Sequence, residues 1–539
     1  MRRLVKTSLD GQRLRAEPLP SRVITRCNTW LDSNSANSAS NRQHPSCGPS
    51  VLRSDPMTNK LFSELQSLLA THGQEHLLAH WDSLSLTCQD QLAEQIRAID
   101  FGLLATLRQT NDQPRKTSSS VTSAVAPPAV PVELCGTTRS QELRALGNQT
   151  LKSGKVGMIL VAGGQGTRLG FGHAKGLFPI GPISDRPLFQ VLIDHLIAIR
   201  NRYQTAIPLF VMTSPATHEE TAEFLVAHDR FGLPEDDLFL FCQGTMPVLD
   251  ARTGQILLEQ RDRLCLSPDG HGGILEAFAR TGCLAEAEHR GIEHLFYAQI
   301  DNPLVQVCDP WLIGCHLQAN SEMTTQVIRK EDALERVGNV VSIDGRLQII
   351  EYSDLSADSA RQTAPDGTLK LWAGNIGVHI FQRQFLERMA VSNNGLQFHQ
   401  ALKQTAYCDR QGRHVTPTQP NSIKFEKFIF DLLPAAQNAI VVEASRNTSF
   451  APVKNADGER KDTPAAAKQR MLDLYANWVA TAKIQMAENT QIEINPRFAL
   501  DAQELASRIP TGHCFSGNVY LGPDRSFETS PAQEQAQPR

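Results

Sequence analysis

The stretch Met158–Gln190, MILVAGGQGTRLGFGHAKGLFPIGPISDRPLFQ, limits what this chain can become more than any other. Met158, Ile159, Leu160 and Val161 form a short apolar run of the kind that makes a buried parallel strand. Gly163, Gly164, Gly166 and Gly170 then break it. Glycines at the carboxyl end of such a strand let backbone N–H groups approach an anion without Cβ clashes. Two cations, Arg168 and Lys175, sit in or just after the turn, and the apolar run Leu188–Ile199 predicts a helix that packs back on the sheet. Strand, glycine turn, cations and helix make a phosphate-handling site at the rim of an α/β sheet. It is not a Walker loop, because no Gly-Lys-Ser/Thr closes it. Nor is it the dinucleotide fingerprint, because Gly164, Gly166 and Gly170 are spaced one residue too long.

A chain of 539 residues is too long for one ordinary core, so two or three domains are expected. Lysine and arginine total 53 against 57 acidic residues, which gives no bulk attraction to nucleic acid or a membrane surface. A nucleotide site must therefore concentrate positive charge locally. The 11 cysteines form no CxxC pairs or His clusters, which fits a reducing cytoplasm rather than a disulfide framework or a zinc site. No run of 18 apolar residues and no signal-peptide core is present.

Residues 1–56 are poor in large apolar residues and read as a disordered extension, with Met57 as an alternative start. Residues 57–150 read as an N-terminal helical region and linker. Leu61, Leu65, Leu68 and Leu69 share one helical face, and the Thr-, Ser- and Pro-rich stretch 109–133 is the linker. Residues 151–460 read as the catalytic body. Strands are expected at Ile207–Thr213, Phe239–Cys242, His294–Ile300 and Ile376–Phe381. Helices are expected at Thr217–His228, Pro310–Asn320 and Ile423–Leu433, with a hairpin turn at Asp344-Gly345. Residues 461–539 form a smaller C-terminal α+β region that opens with an amphipathic helix through Trp478. The alternation predicts an α/β fold with a Rossmann-like, mostly parallel sheet.

Polar clusters follow several predicted strands: Met212-Thr213-Ser214, Gln243-Gly244, Pro268-Asp269-Gly270-His271-Gly272-Gly273 and Asp301-Asn302. In an open α/β sheet that is where a ligand binds. Asp301 could instead cap a following helix, although Asp309, directly before Pro310, is the better cap. Lys424 and Lys427 fall three apart on the expected helix, which makes one of them a surface lysine.

The motifs LVAGGQGTRLG, PDGHGG, IDNPLV, IIEYSDL, AGNIGVHIF, NSIKFEKFIFD and FAPVKNAD run in order along the chain. Together they resemble the eukaryote-type UDP-N-acetylhexosamine pyrophosphorylases of the wider UDP-sugar pyrophosphorylase family. The resemblance implies a glycosyltransferase-A-like nucleotidyltransferase fold and a reaction between UTP and a sugar 1-phosphate, N-acetylglucosamine 1-phosphate being favoured. It implies that Val161, Ala162, Gly163 and Gly164 bind UTP through the backbone, that Arg168 holds the leaving pyrophosphate, and that Lys175 neutralises the α-phosphate. Gln243 and Gly270 would read uracil, and Asp301 would approach the nucleotide and a Mg²⁺ (or Mn²⁺) ion. His271, Glu351 and Asn375 would face the sugar, Lys424 the nucleotide phosphate, and Lys454 the sugar phosphate. No nucleic-acid or membrane partner is implied.

The chemistry of such a reaction asks for these residue types. A phosphate monoester is already ionised, so its attack on a triphosphate needs no general base. It needs cations and a hard metal to hold two repelling anions in line. One position departs from the pattern: the N-acetylhexosamine enzymes carry Asn where this chain has His271, which is more like the UDP-glucose branch. A UDP-glucose or UDP-galactose pyrophosphorylase therefore stands as the alternative, with a non-catalytic sugar-nucleotide sensor as a third reading. A histidine there is expected to vary in charge near pH 6.5.

Overall fold

The computed structural model describes residues 56–110, 123–133, 136–392 and 395–525. The extension expected over residues 1–56 lies outside them, apart from Pro56, which opens the helix Pro56–His72. Eight strands form the spine of the main sheet: β1 (Ala129–Val130), β2 (Val156–Val161), β3 (Leu209–Thr213), β4 (Leu238–Cys242), β5 (His294–Gln299), β6 (Met323–Arg329), β7 (Ala373–Gln382) and β8 (Ala439–Glu443). They lie in the order β1-β8-β6-β7-β5-β2-β3-β4. All neighbours are parallel except β7, which runs against both β6 and β5.

The mostly parallel α/β sheet expected from the alternation is therefore present. β2 shows why it forms. Met158 and Leu160 point into one core with Leu192, Leu196 and Phe296, while Ile159 points into the other with Phe210, Phe278 and Tyr297. A strand apolar on both sides must be covered on both faces. The helix Leu188–Tyr203 covers the first face and Ile274–Arg280 the second. β1 falls inside the stretch read as a linker, where two short residues gave no periodic signal.

Three helices, Pro56–His72, Leu86–Arg97 and Phe101–Thr110, build the N-terminal layer. Leu65, Leu69, Leu92 and Ile96 pack on Leu249, Ile256 and Phe425 from later in the chain. Gln74 fixes the contact: its amide oxygen accepts the Ile256 N–H at 2.9 Å. At the other end the helix Pro464–Thr481 and the parallel strands Gln491–Ile494 and Asn518–Leu521 join the first core. A buried ion network holds them there. Arg186 reaches Asp194 at 2.7 Å and Glu493 at 2.9 Å, with all three side chains at most 4% exposed. Glu493 also accepts the Ile183 and Ser184 N–H groups, and Asn495 donates to Asp194.

One expected element is wrong. Ile423–Leu433 is not a helix but the strand Ser422–Lys427 followed by a 3₁₀ segment, Ile429–Ala435. The strand pairs antiparallel with Phe398–Lys403. Ile423 and Phe425 alternate toward the N-terminal layer, a period of two that the apolar run after it obscured. Lys424 and Lys427 therefore sit on opposite faces of a strand. Among the described residues no helix is long and apolar enough to cross a membrane.

Candidate active site

β2 has β3 and β4 on one side and β5 on the other, so the strand order reverses between β2 and β5. The crevice beyond their carboxyl ends is where this architecture binds ligands. The glycine turn occupies one bank. Gly166 N–H bonds His173 O at 2.8 Å and Lys175 N–H bonds Gly164 O at 3.0 Å, so residues 164–175 close into a tight loop. Gly163 is tightly packed: a Cβ there would stand 3.2 Å from Gln243 Oε1 and from Ser214 N, close enough that one of them would have to give by a few tenths of an ångström. Gly164 is exposed and faces open space. Val161 and Ala162 lead into it, with Ala162 N–H held by Met212 O at 2.7 Å.

Asp301 stands on the opposite bank, just past β5. Its carbonyl accepts the Val453 N–H at 2.8 Å, and its neighbour Asn302, buried, clips the same segment by bonding Ser449 O at 2.8 Å and Ala451 N–H at 3.0 Å. That clip delivers Lys454 to the crevice. The strongest charges acting on Lys175 are Asp301, Lys454 and Arg168. Burial holds the Lys175 ammonium below its ordinary pKa; Asp301 pulls it back up, and Lys454 and Arg168 press it further down. Arg168 and Lys175 on one loop, Asp301 just past β5 and Lys454 beyond it thus act on one another across three segments of the chain, with positive charge in excess.

Gln243 and Gly270 share the next wall. Thr245–Pro247 pairs antiparallel with Leu266–Pro268, which brings the two loops to the same end. Gly270, at φ +85°, could carry no side chain: a Cβ would lie 2.5 Å from the Lys427 carbonyl. Burial raises the Cys265 thiol, and Lys424, on the strand Ser422–Lys427, is near enough for its charge to oppose that rise. Lys427, on the reverse face, pairs with Glu276 and lies 4.4 Å from the Phe398 ring centre.

Glu351 and Asn375 form the third wall, on either side of Gly338. A Cβ on that glycine would be 3.0 Å from Glu351 Oε1 and 3.8 Å from Asn375 Cβ. The Asn375 carboxamide oxygen already accepts the Gly377 N–H at 3.1 Å, which leaves its NH₂ group as the available donor. Burial, with Asp354 and Asp431 adding, raises the Glu351 carboxyl to about 7, against the pull of His399 and Lys454.

His271 corrects an expectation. Its ring stacks on Phe428 at 5.4 Å between centres, and Nδ1 accepts the Ile429 N–H at 3.3 Å. Burial, helped by His399, pulls it down to about 4, so it is neutral near pH 6.5 rather than titrating there. With Nδ1 accepting, the ring proton sits on Nε2, a fixed donor.

A family profile described as UTP--glucose-1-phosphate uridylyltransferase (UDPGP) matches residues 115–507. The chain belongs to the UDPGP family. Among relatives, it is 32% identical to the UDP-N-acetylhexosamine pyrophosphorylase-like protein 1 of Xenopus tropicalis, over 80% of this chain and 87% of the relative. It is 31% identical to the UDP-N-acetylglucosamine pyrophosphorylase of Saccharomyces cerevisiae, over 86% of this chain and 98% of the relative. The fold is shared with the crystal structure of the uridine diphosphate N-acetylglucosamine pyrophosphorylase of Trypanosoma brucei, at a TM-score of 0.73 and 24% identity, covering 88% of this chain and 99% of that one.

Several residues of this UDPGP site escaped the sequence reading. His399 Nε2 bonds Asp431 at 2.7 Å, and its ring lies 4.6 Å from that of Phe428, the ring His271 also stacks on. Burial lowers His399, but Asp431, Asp354 and Glu351 outweigh it and raise the imidazole above its ordinary value. Asp462 adds a carboxyl that feels both Lys454 and Asp301. Neither belongs to a motif, and each pairs with residues remote in sequence. Asn302 was visible in a cluster but without a role.

Proposed function

We propose that this UDPGP chain is a uridylyltransferase that forms UDP-N-acetylglucosamine and pyrophosphate from UTP and N-acetylglucosamine 1-phosphate. The name of the yeast relative and its nearly end-to-end match support the substrate pair. The observation that carries the reading is the convergence of Lys175, Arg168, Lys454 and Asp301 at the β2/β5 crevice.

In the forward direction a phosphate oxygen of the sugar attacks the α-phosphorus of UTP and the β,γ-pyrophosphate leaves. The attacking oxygen is ionised at neutral pH, so the residues here align and neutralise rather than abstract a proton. The backbone of Val161–Gly164 receives the nucleotide, and Gln243 and Gly270 contact uracil. Lys175 faces the α-phosphate, where charge builds as the fifth oxygen arrives, and Arg168 takes the departing pyrophosphate. Lys454 holds the sugar phosphate on the opposite bank. A lysine depressed by burial and by like charges gains most when an anion arrives, so the site is prepared for the triphosphate.

Family membership implies a divalent cation. Asp301 fits one: it is a hard oxygen donor just past β5, with the Asp462 carboxyl within its field. A Mg²⁺ or Mn²⁺ ion there would take Asp301 and phosphate oxygens, and would supply charge neutralisation between the two anions. Glu351 accepts from sugar hydroxyls, His271 donates from Nε2, and the Asn375 NH₂ donates to an acetamido carbonyl. Lys424, on the strand whose Lys427 backs Gly270, contacts the nucleotide phosphate.

A pyrophosphate-release assay with UTP and a panel of sugar 1-phosphates tests the reading. Turnover with N-acetylglucosamine 1-phosphate above glucose and galactose 1-phosphates is expected. The reverse order would move the chain to the UDP-glucose branch, which His271 favours. UTP binding without turnover of any sugar would make it a sensor.

A further inference from the structure

The helix His218–Ala227 and the turn that precedes it touch the glycine loop at both of its ends. At the outgoing end, Ser214 Oγ donates to Gly163 O at 2.8 Å. At the returning end Glu220, in the first turn of the helix, uses both carboxylate oxygens: one bonds His173 Nδ1 and the other accepts the Ala174 N–H at 2.7 Å. Ala174 is 1% exposed, and the residue after it is Lys175. Glu220 itself touches no cation of the crevice and has no part in the chemistry derived above.

We propose that Glu220 is a positioning residue that sets where Lys175 stands. The inference rests on the uridylyltransferase reading for the role of Lys175, but its geometry does not. Lys175 has two backbone anchors of its own, the bond from its N–H to Gly164 O and the bond from Phe178 N–H to its carbonyl. Both tie the loop to itself, as does the bond from Gly166 N–H to His173 O, so none of them fixes the loop against the neighbouring helix. Glu220 does. It meets the only donor that the Ala174 backbone has, and it does so from a helix tied to the end of β3: Thr213 Oγ1 bonds His218 Nδ1 at 2.6 Å, and Thr217 N–H bonds Ser214 O at 2.9 Å. The loop is thereby registered against β3 rather than floating on β2. On the other side, Gly176 is pressed on Phe189, where a Cβ would stand 2.1 Å from the ring. Lys175 is caught between a helix edge and a carboxylate brace.

The test is a double-mutant cycle on kcat, with UTP affinity measured in parallel. Glu220→Ala is expected to lower kcat about tenfold or more while changing UTP affinity less than about threefold, since misplacing a group by a fraction of an ångström costs turnover before it costs binding. Glu220→Gln keeps an oxygen for the Ala174 N–H and should recover most of the loss. His173→Ala should cost little, and exposed Glu219→Gln nothing. On a Lys175→Ala background, Glu220→Ala should have no further effect on kcat, because the brace acts through the lysine. Full additivity, or wild-type kcat in Glu220→Ala, overturns the proposal. Amide exchange over residues 173–175 is read on the same proteins. It should quicken in Glu220→Ala and stay slow in Glu220→Gln, and unchanged exchange also overturns the brace. That readout stands even if the wild type turns over no sugar 1-phosphate, a result that would sink the enzymatic reading alone.

Discussion

Two clusters of charge lie about one sheet, and they are built in opposite ways. Around Arg186 one guanidinium faces two carboxylates, Asp194 and Glu493, and backbone N–H groups, Ser184 and Asn495 fill the rest of their hydrogen-bonding capacity. Around Lys175 three cations face Asp301, and Arg168 is exposed. The first cluster is complete within the chain and ties the C-terminal region to the helix Leu188–Tyr203. The second is incomplete, with surplus positive charge at a crevice. Buried charge that holds a fold must be balanced by the fold itself, whereas charge that handles a ligand is left for the ligand to balance.

The sharpest way to break the contrast is at Arg186. Arg186→Met would strand Glu493 and leave Asp194 only the more distant Arg497, 3.8 Å away, and should cost about 3–5 kcal/mol of stability, read as a fall in denaturant midpoint. The fraction that remains folded should turn over normally. Lys175→Ala should do the reverse. It should lower kcat about 10²–10³-fold, with a smaller loss of UTP affinity, and leave the denaturant midpoint level or higher, because it removes repulsion from Lys454 and Arg168. If both variants lost stability alike, the two clusters would be one kind of thing.

Glu351 sharpens the comparison through pH. The folded chain keeps its proton up to about 7, well above the ordinary 4.5, so the unfolded chain releases it first. Stability therefore falls as pH climbs from about 4.5 to about 7, and stays lower above that. Glu351→Gln removes this cost and should be more stable than wild type at pH 8, by about 1–3 kcal/mol. It should also raise KM for the sugar 1-phosphate. A variant less stable at pH 8 would mean that Glu351 holds the fold instead. The smallest expected effect is at Asn375. Asn375→Ala should weaken kcat/KM for N-acetylglucosamine 1-phosphate about tenfold and for glucose 1-phosphate less than about threefold. Equal losses would remove the NH₂ group from recognition of the acetamido group.

The sequence announced whatever depends on local pattern. The apolar runs of β2, β3, β4 and β5 and the cap at Asp309, whose carboxylate accepts the Trp311 N–H at 3.1 Å, follow from neighbours in the chain. The meeting of Lys175, Asp301 and Lys454 was reachable through a resemblance, because spacing alone does not bring residues 175, 301 and 454 together. The strand Ser422–Lys427 was misread because the apolar 3₁₀ segment after it extends the run and hides an alternation only six residues long. His399 lies in no motif and 32 residues from Asp431, the last residue of NSIKFEKFIFD, so nothing local pairs them. Glu220 looks like any acidic residue in the first turn of a helix, a position that the helix dipole favours by itself. Only the closed loop beside it gives that carboxylate a partner.

The reversed direction of β7 has a consequence for how such an enzyme can change. Tyr297 of β5 is opposite His379, so residues earlier in β7 project past the end of β5, toward Asp301. A strand that runs against its neighbours thus lends its beginning, rather than its end, to the rim where the parallel strands finish. Asn375 reaches the crevice by that route, on a segment that carries none of the phosphate-handling groups. The part proposed to choose the sugar and the part proposed to transfer the uridylyl group are threaded from opposite directions, so the one can be rewritten while the other is left intact.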